Sequence, residues 1–71
     1  MNSTDSVEER LAQCSEDLAA AAMDLLRKAM RADDDESRAA LIAREKRITR
    51  ARRSVEKAIT LLQGAKDADE F

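Results

Sequence analysis

The feature that most constrains this chain is a pair of apolar repeats separated by an acidic run. The first repeat has spacings of four and three, and it comprises Val7, Leu11, Cys14, Leu18, Ala21 and Leu25. The second recurs every seven residues, and it comprises Leu41, Ile48, Val55 and Leu62. Both spacings place apolar side chains on one face of an α-helix. The three aspartates at positions 33–35 suit a cap better than a helix interior. The sequence therefore predicts two amphipathic helices joined by a short acidic turn.

The ends of both helices carry recognisable signals. Ser6 and Glu9 fit a capping box at the start of the first helix. Gly64 is a typical stop at the end of the second helix. Because the turn is short, the two helices are expected to run antiparallel. The predicted organisation of this single domain is a helix at about 6–31, an acidic turn at about 32–35, a helix at about 36–63 and a frayed tail at 64–71.

The composition favours an all-α fold. The 71 residues include fourteen Ala, one Gly and no Pro, and 39% of them are charged. A β-rich chain would need more turn residues and more β-branched or aromatic side chains. Only sixteen residues are large and apolar, which is a small core to offset the ordering of two long helices. We therefore expect an antiparallel two-helix hairpin with a coiled-coil-like seam, completed into a helical bundle by dimerisation or by a partner.

The acidic turn also predicts how the helices face each other. A turn centred on the aspartates pairs positions whose numbers sum to about 69. Leu18 would then face Ala51, and most layers would set a larger residue against a smaller one. Near the turn, Arg44 falls opposite Leu25. Either its stem covers apolar surface while its charge reaches water, or its guanidinium meets a carboxylate of a partner.

Several classes of protein are excluded by what the sequence lacks. A single cysteine, Cys14, cannot form an internal disulfide, which favours a reducing compartment. Without histidine, neither an ordinary zinc or haem site nor a serine triad is expected. Gly64 stands alone, so no glycine-rich phosphate loop is expected. The acidic start is not typical of a targeting segment, and no apolar run is long enough for a membrane span. We expect a non-enzymatic protein without a cofactor.

A second apolar stripe on the first helix is left over when the hairpin closes. It consists of Ala19, Met23, Leu26 and Met30, and Ile42 is expected beside it. At the open end, Ile59 and Leu61 should flank the seam. A homodimeric four-helix bundle would cover such residues by symmetry, and an interface for a different protein would cover them equally well. The candidate partner-binding residues are Met23, Leu26, Met30, Ile42, Ile59, Leu61 and Arg44.

Charge is divided unevenly along the chain. Residues 1–37 have ten acidic and four basic side chains, whereas residues 38–71 have nine basic and five acidic ones. A basic row that could follow phosphates consists of Lys46, Arg50, Arg53 and Lys57. The alternative is a solvated face that balances the acidic first helix. The absence of Tyr and Trp and the pI of about 5.1 argue against nucleic acid as the partner.

Two segments carry a resemblance to a known family. VEERL at 7–11 opens the first helix, and SVEKAITLL at 54–62 lies near the end of the second. In these segments and in its layout the chain resembles the small co-chaperones of type III secretion needle subunits, the YscE/PscE-like group. The resemblance implies a cytoplasmic, non-enzymatic partner of a larger chaperone, which together keep a self-assembling needle subunit soluble. The alternative function is a homodimeric four-helix-bundle regulator that acts on RNA through the basic row.

Overall fold

The computed structural model describes the backbone of residues 3–69 and the side chains of residues 3–64. Helix α1 spans Ser3–Arg31 and helix α2 spans Asp35–Asp69. The helices pack against each other along their length as an antiparallel hairpin. No strand occurs within residues 3–69, so the predicted all-α hairpin is confirmed. Neither helix of this described part is long and apolar enough to cross a membrane.

The turn occupies residues 32–34, one residue fewer than expected. Asp34 caps α2, because its Oδ2 accepts a hydrogen bond from the backbone N–H of Ser37 at 2.9 Å. Its carbonyl accepts the N–H of Arg38 at 3.1 Å. The side-chain and backbone hydrogen bonds with Ser37 hold the pKa of Asp34 below its ordinary value, because they favour the charged carboxylate.

Both outer ends of the helices differ from the prediction. Helix α1 begins at Ser3, so Ser6 lies inside the first turn and is not its cap. Helix α2 continues through Gly64 to Asp69, so the predicted stop at Gly64 is wrong. A glycine ends a helix when it adopts a positive φ, and Gly64 does not. Residues 64–69 are therefore helical, and positions 70 and 71 of the predicted tail lie outside the described residues.

The register of the hairpin also differs from the prediction. The Nε–H of Arg52 donates to Oγ of Ser15 at 3.2 Å, and the Nε–H of Arg38 donates to the carbonyl of Ala29 at 3.3 Å. Facing positions therefore sum to about 67, because the turn is shorter and lies earlier than assumed. The helices are also rotated about their axes. As a result Ala51, expected to face Leu18, is exposed.

The seam follows a seven-residue repeat along both helices. The buried or half-buried seam residues of α1 are Glu8, Leu11, Ser15, Leu18, Ala22, Leu25 and Ala29. Those of α2 are Arg38, Leu41, Glu45, Ile48, Arg52, Val55, Ile59 and Leu62. The predicted seam residues Val7 and Cys14 are exposed, and Ala21 is half-buried beside the seam. Five polar or charged residues thus occupy positions that would form the core of a self-sufficient coiled coil.

Very little apolar surface is fully buried in this hairpin. Within the described side chains, the buried apolar residues are Leu25, 7% exposed, and Ala29, 3% exposed. By contrast, five large apolar side chains are exposed, namely Val7, Met23, Leu26, Met30 and Leu61. Two helices alone form a single layer, which cannot cover apolar residues on its outer sides. The hairpin therefore encloses little core, and several of its large apolar side chains lie on its outside.

Candidate protein-interaction surface

The hairpin has two broad faces, one on each side of the seam. We call the side that carries Ala12, Ala19 and Leu26 of α1 the front face. These residues directly follow seam positions, and successive residues of a helix are rotated by about 100°. Ile42 and Thr49 follow seam positions of α2 in the same way, so they lie on the front face as well. The opposite side, with Ala21 of α1 and Arg44 of α2, is the back face.

Grooves along the surface confirm this division. One shallow groove lies on the front face near the open end, and it is lined by Asp5, Glu8, Glu9, Ala12, Ile59 and Gln63. Another lies on the back face nearer the turn, and it is lined by Ala21, Asp24, Leu25, Lys28, Arg44 and Ile48. Each groove combines residues of both helices, so the two sides of the seam are distinct surfaces.

Four of the seven predicted partner-binding residues form one patch. Met23, Leu26 and Met30 are exposed on the front side of α1, by 51%, 37% and 82% respectively. Ile42 of α2 is half-buried at the level of Leu26, because facing positions sum to about 67. We call these four residues the loop-end patch. Met23 and Met30 directly follow Ala22 and Ala29 of the seam, so they lie on the front side of α1.

The other three predicted residues do not join this patch. Ile59 is half-buried in the front groove at the open end, more than two helical turns from Ile42. Leu61 is 64% exposed and is turned toward the back face. Arg44 lines the back groove beside Leu25, as expected. Asp24 lines the same groove, and its carboxylate forms an ion pair with Arg27 at 3.1 Å. The predicted set is thus divided between two faces and two ends.

Three of the four residues of the basic row lie together. Lys46, Arg50 and Arg53 line a groove on α2, and Lys57 is exposed one turn further along. Glu45 lies in the same groove, where its Oε2 accepts a hydrogen bond from the hydroxyl of Thr49 at 2.6 Å. This carboxylate reduces the positive potential that a phosphate backbone would meet. The basic side chains therefore share one groove, but the groove also contains an acidic side chain.

One structural residue was missed by the sequence reasoning. The guanidinium of Arg38 donates to the carbonyls of Ala29 and Ala32 at 3.3 and 3.0 Å, and to Oδ1 of Asp35 at 2.9 Å. It thereby gives a donor to the carbonyl of Ala32 in the turn, and a second donor to the carbonyl of Ala29, which also accepts the backbone N–H of Ala32 at 3.2 Å. The available signal is the seven-residue spacing of Arg38, Glu45, Arg52 and Ile59, which is hidden because three of these four residues are charged.

Comparisons with protein-family models, with curated proteins and with solved structures found no match.

Proposed function

We propose that this chain is a non-enzymatic protein-interaction module that docks another helical protein on its loop-end patch. The observation that carries the proposal is the exposure of Met23, Leu26 and Met30 on a regular helix. Fully burying an exposed side chain of this size is worth about 1.5–3 kcal/mol. Because these side chains project from a formed helix, a partner helix would gain this energy without having to order the backbone beneath them.

The shape of the patch favours a helix as the partner. Met23, Leu26 and Met30 are spaced by three and four residues, so they form a ridge along α1. Ile42 lies beside this ridge across the seam. A helix laid along the front face would contact both, which is how an amphipathic helix recognises a groove. Methionines suit such a surface, because their flexible side chains adapt to different partners.

The more specific form of the proposal is a co-chaperone of type III secretion needle subunits. Its support is the resemblance of VEERL and SVEKAITLL to that family, together with the two-helix layout. In the second segment Val55, Ile59 and Leu62 are half-buried at the seam, whereas Leu61 is exposed. The resembling segment would therefore offer Leu61 to a partner and use its other apolar residues to hold the hairpin together.

The test is capture of the partner by tagged variants from the native cell, with the bound protein identified by mass spectrometry. Leu26→Glu should abolish capture, because it places a charge in a dry contact. The matched control is Ala20→Glu, which adds the same charge to an exposed position of α1 away from both faces. Retention of the same partner by Leu26→Glu would contradict the proposal.

A regulator that binds RNA remains the second candidate, because Lys46, Arg50 and Arg53 share one groove. Reversing these three residues to Glu distinguishes the candidates. A protein-docking module should keep its partner after the reversal. A nucleic-acid regulator should lose binding, and the binding by the unaltered chain should weaken steeply with salt, by about 0.7–0.9 log units per log unit of salt for each phosphate contact.

A further inference from the structure

The front face carries a pattern of charge that specifies its occupant. Its outer edge on α1 has the acidic residues Glu9 and Glu16, and its outer edge on α2 has the basic residues Lys46 and Arg53. All four are exposed. Glu16, Lys46 and Arg53 form no ion pair with any of the described residues. The face therefore presents an acidic edge, a basic edge and, toward the turn, the loop-end patch.

We propose that a second copy of this chain covers the front face, with the two turns at the same end and α1 of each copy lying on α2 of the other. The inference rests on the proposed function, in that it assigns an occupant to the same docking surface. A face with one acidic and one basic edge is complementary to itself when a two-fold axis exchanges the edges.

The register of the hairpin selects this arrangement. Because Ser15 contacts Arg52, the side chains of Glu16 and Arg53 lie at similar levels on the two helices. A two-fold axis along the hairpin brings Glu16 of one copy to Arg53 of the other. The same rotation brings Leu26 of one copy to Ile42 of the other. It also brings Met23 to the level of Lys46, whose apolar stem can cover the methionine while its charge reaches water.

The other face-to-face arrangement is unfavourable. A two-fold axis across the hairpin would place the turn of one copy over the open end of the other, with α1 on α1. Leu26 and Met30 would then face Glu9 and Asp5 of the second copy, because these are the residues on the front side at the open end. That contact would bury the carboxylate of Glu9 against apolar side chains of the second copy, which is unfavourable.

The front face is large enough for a stable dimer. Helix α1 has 29 residues and therefore lies along α2 for about 43 Å, and the Cα atoms span 19 Å across the hairpin. A specific interface buries about 800 Å² on each partner, which this face can supply. The second copy would occupy the loop-end patch, so docking of another protein would compete with self-association and would weaken as the concentration of the chain rises.

The test exchanges the charges of Glu16 and Arg53 between two chains. Sedimentation equilibrium of the full chain should show a dimer. Glu16→Arg and Arg53→Glu should each weaken dimerisation by about tenfold or more, because each variant places like charges together twice in a symmetric dimer. Mixing the two variants should restore association as a heterodimer, detected by native mass spectrometry, because both contacts then pair opposite charges.

Two controls keep this result specific. Asp17→Arg and Arg47→Glu make the same charge changes at exposed positions of the back face and should leave the dimer intact. Circular dichroism checks that all variants remain helical. If Glu16 and Arg53 acted within one chain, the double variant would recover but the mixture of single variants would not.

The outcomes separate this inference from the proposed function. A monomer at all concentrations, or a mixture that fails to form heterodimers, overturns the inference. If the chain is a monomer and Leu26→Glu still abolishes capture of another protein, the proposed function stands and the inference fails. If the mixture forms heterodimers and Leu26→Glu captures the same partner as the unaltered chain, the inference stands and docking on the loop-end patch fails.

Discussion

The two halves of the hairpin hold their helices together by different means. In the half near the turn, Leu25 and Ala29 are buried, and Arg38 bonds across to the end of α1. In the open half, the buried seam residue is Ser15, which accepts a hydrogen bond from Arg52. We call the half near the turn the loop half: it combines fully buried apolar residues with the hydrogen bonds of Arg38. The open half combines half-buried apolar residues, such as Leu11 and Val55, with the hydrogen bond between Ser15 and Arg52. Apolar burial stabilises without directional requirements, whereas a polar pair stabilises only in one register.

The comparison also concerns the outside of the molecule. The loop half buries its own core and still exposes Met23, Leu26 and Met30 on the front face. The open half exposes Val7 and Leu61, which lie on the back side of their helices, and among its described residues no apolar seam side chain is fully buried. Docking on the loop-end patch would therefore add a second apolar layer where the first already exists. In the loop half, docking of a partner would therefore add to the stability that the buried seam residues already provide.

The largest expected loss of stability comes from a substitution that removes a buried side chain in the loop half. Leu25→Ala should lower the free energy of unfolding by about 2–4 kcal/mol, because it removes a buried side chain and leaves a cavity. The matched substitution in the open half is Leu11→Ala, at a half-buried seam position. It should cost about 1–2 kcal/mol, because less of the side chain leaves contact. Urea unfolding followed by circular dichroism at one chain concentration measures both, and equal losses would contradict the comparison.

The next largest effect concerns Arg38, whose guanidinium donates hydrogen bonds to backbone carbonyls at the end of α1 and in the turn. Arg38→Ala should cost about 1–3 kcal/mol, because it leaves the carbonyls of Ala29 and Ala32 without their side-chain donor. Arg38→Lys should recover only part of this loss, because one ammonium group cannot reproduce the fork of a guanidinium. Arg47→Ala on the exposed back face is the control and should stay within about 0.5 kcal/mol. A Lys variant as stable as the original chain would show that charge alone matters at this position.

The sequence was sufficient to predict the helical hairpin, but not to predict which residues lie between the two helices. Two apolar repeats and an acidic run predict a helical hairpin because periodicity reports which residues share a face. Periodicity does not reveal which of two adjacent faces will be buried when alanines and polar residues lie on both. Here Ser15 and Arg52 occupy the seam, while Cys14 and Ala51 lie outside it. The pairing of Ser15 with Arg52 could be found only from the register, which depends on a turn length that no glycine or proline marks.

The candidate site was predictable to a similar extent. The stripe of Met23, Leu26 and Met30 was expected from its spacing, and the structure places it on one face together with Ile42. The separation of Leu61 and Arg44 from that face could not be predicted, because it requires the rotation of α2 about its own axis. Leu61 and Leu62 are adjacent, yet one is exposed and the other is half-buried at the seam.

The smallest expected effect is on the pH dependence of stability at the turn, where the exposed Asp34 caps α2. The pKa of Asp34 is lowered by its hydrogen bonds with Ser37, so the folded state binds this proton less tightly than the unfolded chain does. Its contribution is therefore complete above the ordinary pKa of an aspartate and is lost as the pH falls through the lowered value. Thermal unfolding of Asp34→Asn, which keeps a cap acceptor that does not titrate, should show a weaker decline in Tm on acidification than the original chain. Asp34→Ala should lower the Tm at neutral pH and show the same weaker decline, because the other carboxylates still titrate. Three parallel curves of Tm against pH would show that the Asp34 carboxylate does not stabilise the start of α2.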